Sequence, residues 1–102
     1  MARAKREIAP VHPGEILLEE FLKPLRMTMH ELALALRVPA NRISQIVEGK
    51  RSISADTALR LGRYFGTGPE LWINLQARYD LESAKDELGA LIEREVSPRS
   101  AA

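Results

Sequence analysis

The 102-residue chain contains no cysteine, which excludes disulfides and thiolate metal sites. Its two histidines, His12 and His30, have no such ligand to join them, so capping or surface roles are expected of both, and no metal or cofactor. No apolar run approaches the roughly 20 residues of a membrane-spanning helix, and residues 1–10 lack the apolar segment of a secretory signal. A cytoplasmic location is the default expectation. Strand-like alternation, internal repeats and low-complexity blocks are missing too. So are the constellations of catalysis: the serines fall at helix caps or outward faces, the acids scatter over solvated faces, and no nucleophile–base pair or converging carboxylates emerge. An enzyme is not expected.

Charge of one sign is also lacking overall, with a formal net of +1, unlike a histone-like protein. Its distribution is uneven. Between Arg26 and Arg63, Arg26, Arg37, Arg42, Lys50, Arg51, Arg60 and Arg63 oppose Glu31, Glu48 and Asp56, a net of +4. Between Asp80 and Glu95, Lys85 and Arg94 oppose Asp80, Glu82, Asp86, Glu87, Glu93 and Glu95, a net of −4. One end suits a polyanion and the other something else. Hydrophobic residues at 45% and charged residues at 28% are ordinary for a single globular domain with a modest core.

Residues 28–51 organise the rest. Thr28 is a good N-cap and Glu31 completes a capping box. Leu32, Ala33 and Leu36 then share one side of a short helix. Leu36, Arg37 and Val38 make a bend, and Pro39 suits the start of a second helix. There Ile43, Ile46 and Val47 face inward, leaving Ala40, Asn41, Arg42, Ser44, Gln45 and Glu48 outward, and Gly49 closes the helix as a left-handed cap. Helices this short need a core beneath them.

On either side the pattern is helical. Residues 1–11, with Arg3, Lys5 and Arg6, read as a flexible arm. A first helix runs from about Gly14 to Lys23, with Leu17, Leu18, Phe21, Leu22 and Leu25 at helical spacing, and Pro24 should end or kink it. After Ile53, which should plug the core, Ser54 caps a fourth helix over residues 55–65, ended by Gly66; Gly62 within it points to close helix packing. The following Gly-Thr-Gly-Pro stretch has no preceding strand and no Walker lysine, so it is a turn, with Thr67 and Glu70 as a second capping box. A fifth helix spans about residues 69–83, and a last segment, residues 85–96, carries Leu88, Leu91, Ile92 and Val96 in a narrow stripe. Residues 97–102 read as a disordered tail.

The stretch 28–48 resembles the helix-turn-helix of phage-repressor-like regulators through Leu32, Ala33, Leu36, the bend at Arg37, Val38, Ile43 and Ile46. It departs from them at Met29, where a phosphate-holding glutamine is usual, and at Arg37, where glycine is usual; a non-glycine residue at positive φ costs about 1 kcal/mol. Further motifs are similar to the HigA family of antitoxins: His12-Pro13-Gly14-Glu15; Gly49-Lys50-Arg51 with Ile53-Ser54; and the run from Pro69 to Gln76 closing with Tyr79-Asp80-Leu81. The resemblance covers about residues 12–81. It implies an all-α, five-helix, lambda-repressor-like DNA-binding domain, placed over residues 12–83; the helical spacing read beyond it makes residues 84–96 a C-terminal helical extension. The resemblance also implies a homodimer that represses its own toxin–antitoxin operon and neutralises a HigB-type toxin that cleaves mRNA.

The second helix of the motif would then enter the major groove of double-stranded operator DNA N-terminus first. Asn41 and Gln45 suit adenine, Arg42 suits guanine or a phosphate, and Ala40 suits a thymine methyl. Thr28, Arg37, Ser44, Lys50 and Arg51 are the phosphate candidates, Thr28 through the helix N-terminal amides. Trp72, Leu75, Tyr79, Leu88, Leu91 and Ile92 are candidates for a dimer interface, with core packing the competing role for the first two. Two other functions stay open on the residues alone: a stand-alone repressor without a toxin, and a protein-only interaction module.

Overall fold

The computed structural model describes residues 9–100, and among them every regular element is a helix. Most of the expected arm, residues 1–8, and the last two residues of the expected tail lie outside that range. The first helix, α1, is one continuous run made of α-helical Pro13–Ile16, π-helical Leu17–Leu22 and α-helical Lys23–Leu25. Next come α2 (Met29–Leu36), α3 (Ala40–Val47), α4 (Ala55–Phe65) and α5 (Pro69–Glu95). No helix among the described residues is long and apolar enough to cross a membrane.

Pro24 neither ends nor visibly breaks α1. The π turn widens the helix just before it, with the Lys23 amide donating to the carbonyl of Leu18. That widening relieves the clash of a proline ring with the carbonyl four residues back. The helix closes instead at Arg26, left-handed at φ 53°, where Met27 N–H donates to Leu22 O at 2.9 Å. The same closure recurs at the end of α2, with Arg37 at φ 61° and Val38 N–H on Ala33 O at 3.0 Å. The positive φ expected of Arg37 is therefore present, and Arg26 is a second such position. Gly49 and Gly66 are left-handed as expected.

The core is built from Leu17, Leu22, Leu32, Ala33, Leu36, Ile43, Ile46, Ile53, Ala58, Leu61 and Trp72, with at least one residue from every helix. Phe21 lies between Phe65 and Trp72, at ring-centre distances of 4.8 and 5.0 Å. Two glycines let backbones meet. A Cβ on Gly14 would overlap the Ile46 carbonyl, so α1 starts directly on the end of α3. A Cβ on Gly62 would overlap Gly68 and Pro69, so α5 begins directly on α4; the close approach expected at Gly62 is to that helix start.

Two expectations for the C-terminal half are corrected. Thr67 and Glu70 form no capping box: Gly68 is the N-cap of α5 with no side-chain bond. The Thr67 hydroxyl donates to the Gly68 carbonyl and accepts the Trp72 indole N–H at 3.0 Å. The two segments expected over residues 69–83 and 85–96 are one helix of 27 residues. At 1.5 Å per residue it is about 40 Å long. Its buried residues are Trp72 and Gln76, so its second half extends past the core.

Candidate nucleic-acid interface

The turn of the helix-turn-helix is held from three sides. The Thr28 hydroxyl accepts from Glu31 N–H at 3.0 Å and the Glu31 carboxylate accepts from Thr28 N–H at 2.8 Å, which fixes the start of α2. Those bonds to Thr28 hold the Glu31 carboxyl below its ordinary value. Ile43 and Ile46 are fully buried and anchor α3. At the end of α2, Arg60 from α4 donates through Nη1 to the Leu36 carbonyl at 2.9 Å, a group left open by the bend.

This framework presents α3 as an exposed edge. Ala40 and Asn41 in its first turn are exposed and Gln45 is half-buried. Ser44 is half-buried, with its hydroxyl on the Asn41 carbonyl at 3.3 Å. No side chain caps the first-turn amides of α3 and no acid lies in that turn, so the partial positive charge of the helix end faces outward. Arg37 and Arg51 are exposed on either side of α3, and Lys50, also exposed, lies 3.5 Å from a Glu48 carboxylate oxygen. Thr28 differs from the others. Its capping box uses the amides of Thr28 and Glu31, not those of Met29 and His30, and brings the Glu31 carboxylate alongside.

Arg42 is not the free outward side chain that helix periodicity suggested. It turns toward α4 and donates through Nη1 to Asp56 Oδ2 at 2.6 Å, with a quarter of its side chain exposed. The other Asp56 oxygen accepts from Arg60 Nε at 2.9 Å. Hydrogen bonds from Arg60 and Arg42 hold the Asp56 carboxyl below the usual aspartate value. Asp56 and Arg60 are the residues of this surface that sequence reasoning missed. Their spacing of four on one helix is a recognisable pairing signal; the reach back to Arg42 is tertiary and leaves no local trace.

The dimer candidates divide. Trp72 is fully buried, so it is withdrawn as a surface residue. Leu75 is half-buried against the core, and Tyr79 is half-buried with its ring edge-on to His12 at 4.9 Å. Leu88, Leu91 and Ile92 are exposed along the far half of α5. His12 itself caps α1, its Nδ1 accepting from Gly14 N–H at 2.9 Å. No group of three or more metal-binding side chains occurs among the described residues.

A helix-turn-helix family model matches residues 18–72. Virulence-associated protein I of Dichelobacter nodosus is 52% identical over 83 residues, 81% of this chain and 77% of that protein. The HigA-family addiction module antidote protein of Coxiella burnetii superposes with a TM-score of 0.85 at 50% identity, covering 90% of this chain and 100% of that one. The Pseudomonas aeruginosa antitoxin HigA, solved with the higBA promoter, superposes with a TM-score of 0.87 at 47% identity, covering 89% and 99%. Taken with the capped, buried and exposed positions just described, these matches make the chain a member of the HigA family of antitoxins, helix-turn-helix proteins of the phage-repressor type.

Proposed function

We propose that this chain is a sequence-specific DNA-binding antitoxin that represses its own operon as a dimer and neutralises a HigB-type, mRNA-cleaving toxin. The observation that carries the DNA reading is the exposed first turn of α3, where Ala40 and Asn41 stand clear of the core beside uncapped amides. Gln45 lies one turn on, and the cations Arg37, Lys50 and Arg51 lie at the flanks. That arrangement offers base-reading side chains between phosphate-binding ones. The relative solved with promoter DNA supports it. Two or three base contacts discriminate weakly, so pairing two copies is part of the reading. Leu88, Leu91 and Ile92 supply the apolar face for it, and the two α3 helices would lie about 34–36 Å apart. The antitoxin role rests on the family, and the acidic second half of α5 suits a basic, RNA-handling partner.

The test has two arms. Footprinting with the DNA upstream of the gene should reveal a two-fold symmetric protected site. Co-expression with a neighbouring short, strongly basic reading frame should relieve growth arrest caused by that frame alone. A protected site without any such neighbour would leave a stand-alone repressor. No protected site would sink the DNA reading.

A further inference from the structure

Asp56, in the first turn of α4, is bracketed by two guanidinium groups. Oδ2 accepts from Arg42 at 2.6 Å and Oδ1 from Arg60 at 2.9 Å. Arg60 continues the chain to the Leu36 carbonyl. A single line of bonds thus runs from the first turn of α3, across α4, to the turn between α2 and α3. The carboxylate accepts from both arginines at once, one on each oxygen, and the Arg60 guanidinium is held by two acceptors, Asp56 and the Leu36 carbonyl.

We propose that Asp56 is a specificity-determining residue of the DNA surface. It holds Arg42 in one place against α4 and cancels part of its charge, so that passing phosphates attract the protein weakly and Asn41 and Gln45 decide which sequence is bound. The inference rests on the DNA-binding reading above. Its physical basis is the contrast between a tethered and a free arginine. An unrestrained arginine beside a recognition helix is a long side chain with five donors that can follow any phosphate, and each phosphate so contacted adds salt-dependent affinity without sequence preference. Tethered through Nη1, Arg42 keeps Nε and Nη2 for an acceptor at one fixed position only. The ion pair on its own is exposed and contributes little to stability. Its effect is on where a cation can go.

Equilibrium binding of the full chain to the duplex protected upstream of its gene, and to a mixed-sequence duplex of equal length, tests this across a sodium chloride series. Asp56→Asn should bind the mixed duplex roughly tenfold more tightly at low salt, with a log–log salt slope steeper by about 1 to 2. The protected site should gain less, so the ratio between the two falls; Asp56→Glu should restore it. Adding Arg42→Ala to Asp56→Asn should abolish the gain. Arg42→Ala alone, which serves if Asp56→Asn does not melt cooperatively, should change mixed-duplex affinity less than about twofold. A ratio unmoved by Asp56→Asn, or a tenfold loss of mixed-duplex binding in Arg42→Ala, overturns the role of Asp56 while leaving the DNA reading intact. Failure of the unaltered protein to protect any site overturns both.

Discussion

Gly14 of α1 meets the Ile46 carbonyl of α3 backbone to backbone, with no room between them for a methyl group. The end of α3 is therefore seated by the start of the first helix, through backbone atoms. Gly14→Ala should lower stability by about 1–3 kcal/mol, the usual range for overpacking a close contact. The urea midpoint measures this, and binding to every duplex should weaken as α3 is displaced. An unchanged midpoint would show that the contact relaxes without cost.

Gln76 satisfies a buried amide in the loop after α3. Its Oε1 accepts from Ile53 N–H at 2.8 Å and its Nε2 donates to Asp80 at 2.9 Å. Gln76→Leu keeps most of the volume and removes the acceptor. It should cost about 1–3 kcal/mol, the penalty of an unpaired buried donor, read from chemical denaturation. Equal or higher stability in Gln76→Leu would mean that the Ile53 amide finds water instead.

The cap at His12 makes stability depend on pH. Burial lowers the His12 pKa, opposed in part by the Asp80 carboxylate, and its Nδ1 must stay unprotonated to accept from Gly14. The folded pKa lies below the unfolded value of about 6.5, so the unfolded chain binds more protons between the two. This contribution is fully present above about pH 6.5 and is lost as pH falls from there through the folded value. His12→Asn keeps a cap acceptor without a titration in that range. Comparing urea midpoints at pH 7.5 and 5.5 should show a smaller drop for His12→Asn than for the unaltered chain; equal drops would assign the dependence elsewhere.

Base reading and phosphate positioning separate by their signatures. Gln45→Ala should weaken the protected duplex by about 1–3 kcal/mol and leave mixed DNA nearly unchanged. Lys50→Ala should weaken both alike and reduce the salt slope by about 0.9. Matching losses on the two duplexes from both variants would refute this division of roles.

Much of the motif was readable because it is local. The capping box of Thr28 and Glu31, the Ser54 cap on Thr57 N–H, and the buried Ile43 and Ile46 all follow from spacings of three or four residues. What escaped was set across the fold. Pro24 reads as a stop, yet a π turn widens α1 ahead of it. Serine and lysine at 83 and 85 read as a boundary, yet α5 passes through both because nothing there removes a backbone donor. Arg42 reads as outward by periodicity, and a carboxylate 14 residues away on another helix turns it aside. Thr67 has the spacing of a capping box, but the indole of Trp72 takes its hydroxyl.

Leu91→Lys puts a charge in the exposed stripe of α5 and tests the pairing of copies. Light scattering should report a monomer, while the melting of the Trp72-centred core shifts little. Affinity for the protected duplex should fall at least roughly tenfold, since the two half-sites are no longer engaged together. A dimer that survives this change would place the interface elsewhere.

The unbroken run of α5 from Pro69 to Glu95 makes the direction of its exposed stripe a question of angular phase. Each residue added to an α-helix rotates everything beyond it by about 100°. A single insertion after residue 83 would swing Leu88, Leu91 and Ile92 to a new azimuth and leave the core-packed first half of α5 untouched. In the proposed dimer such a turn would carry one α3 helix around the other and so change the half-site spacing, while the core of each copy stayed as it is.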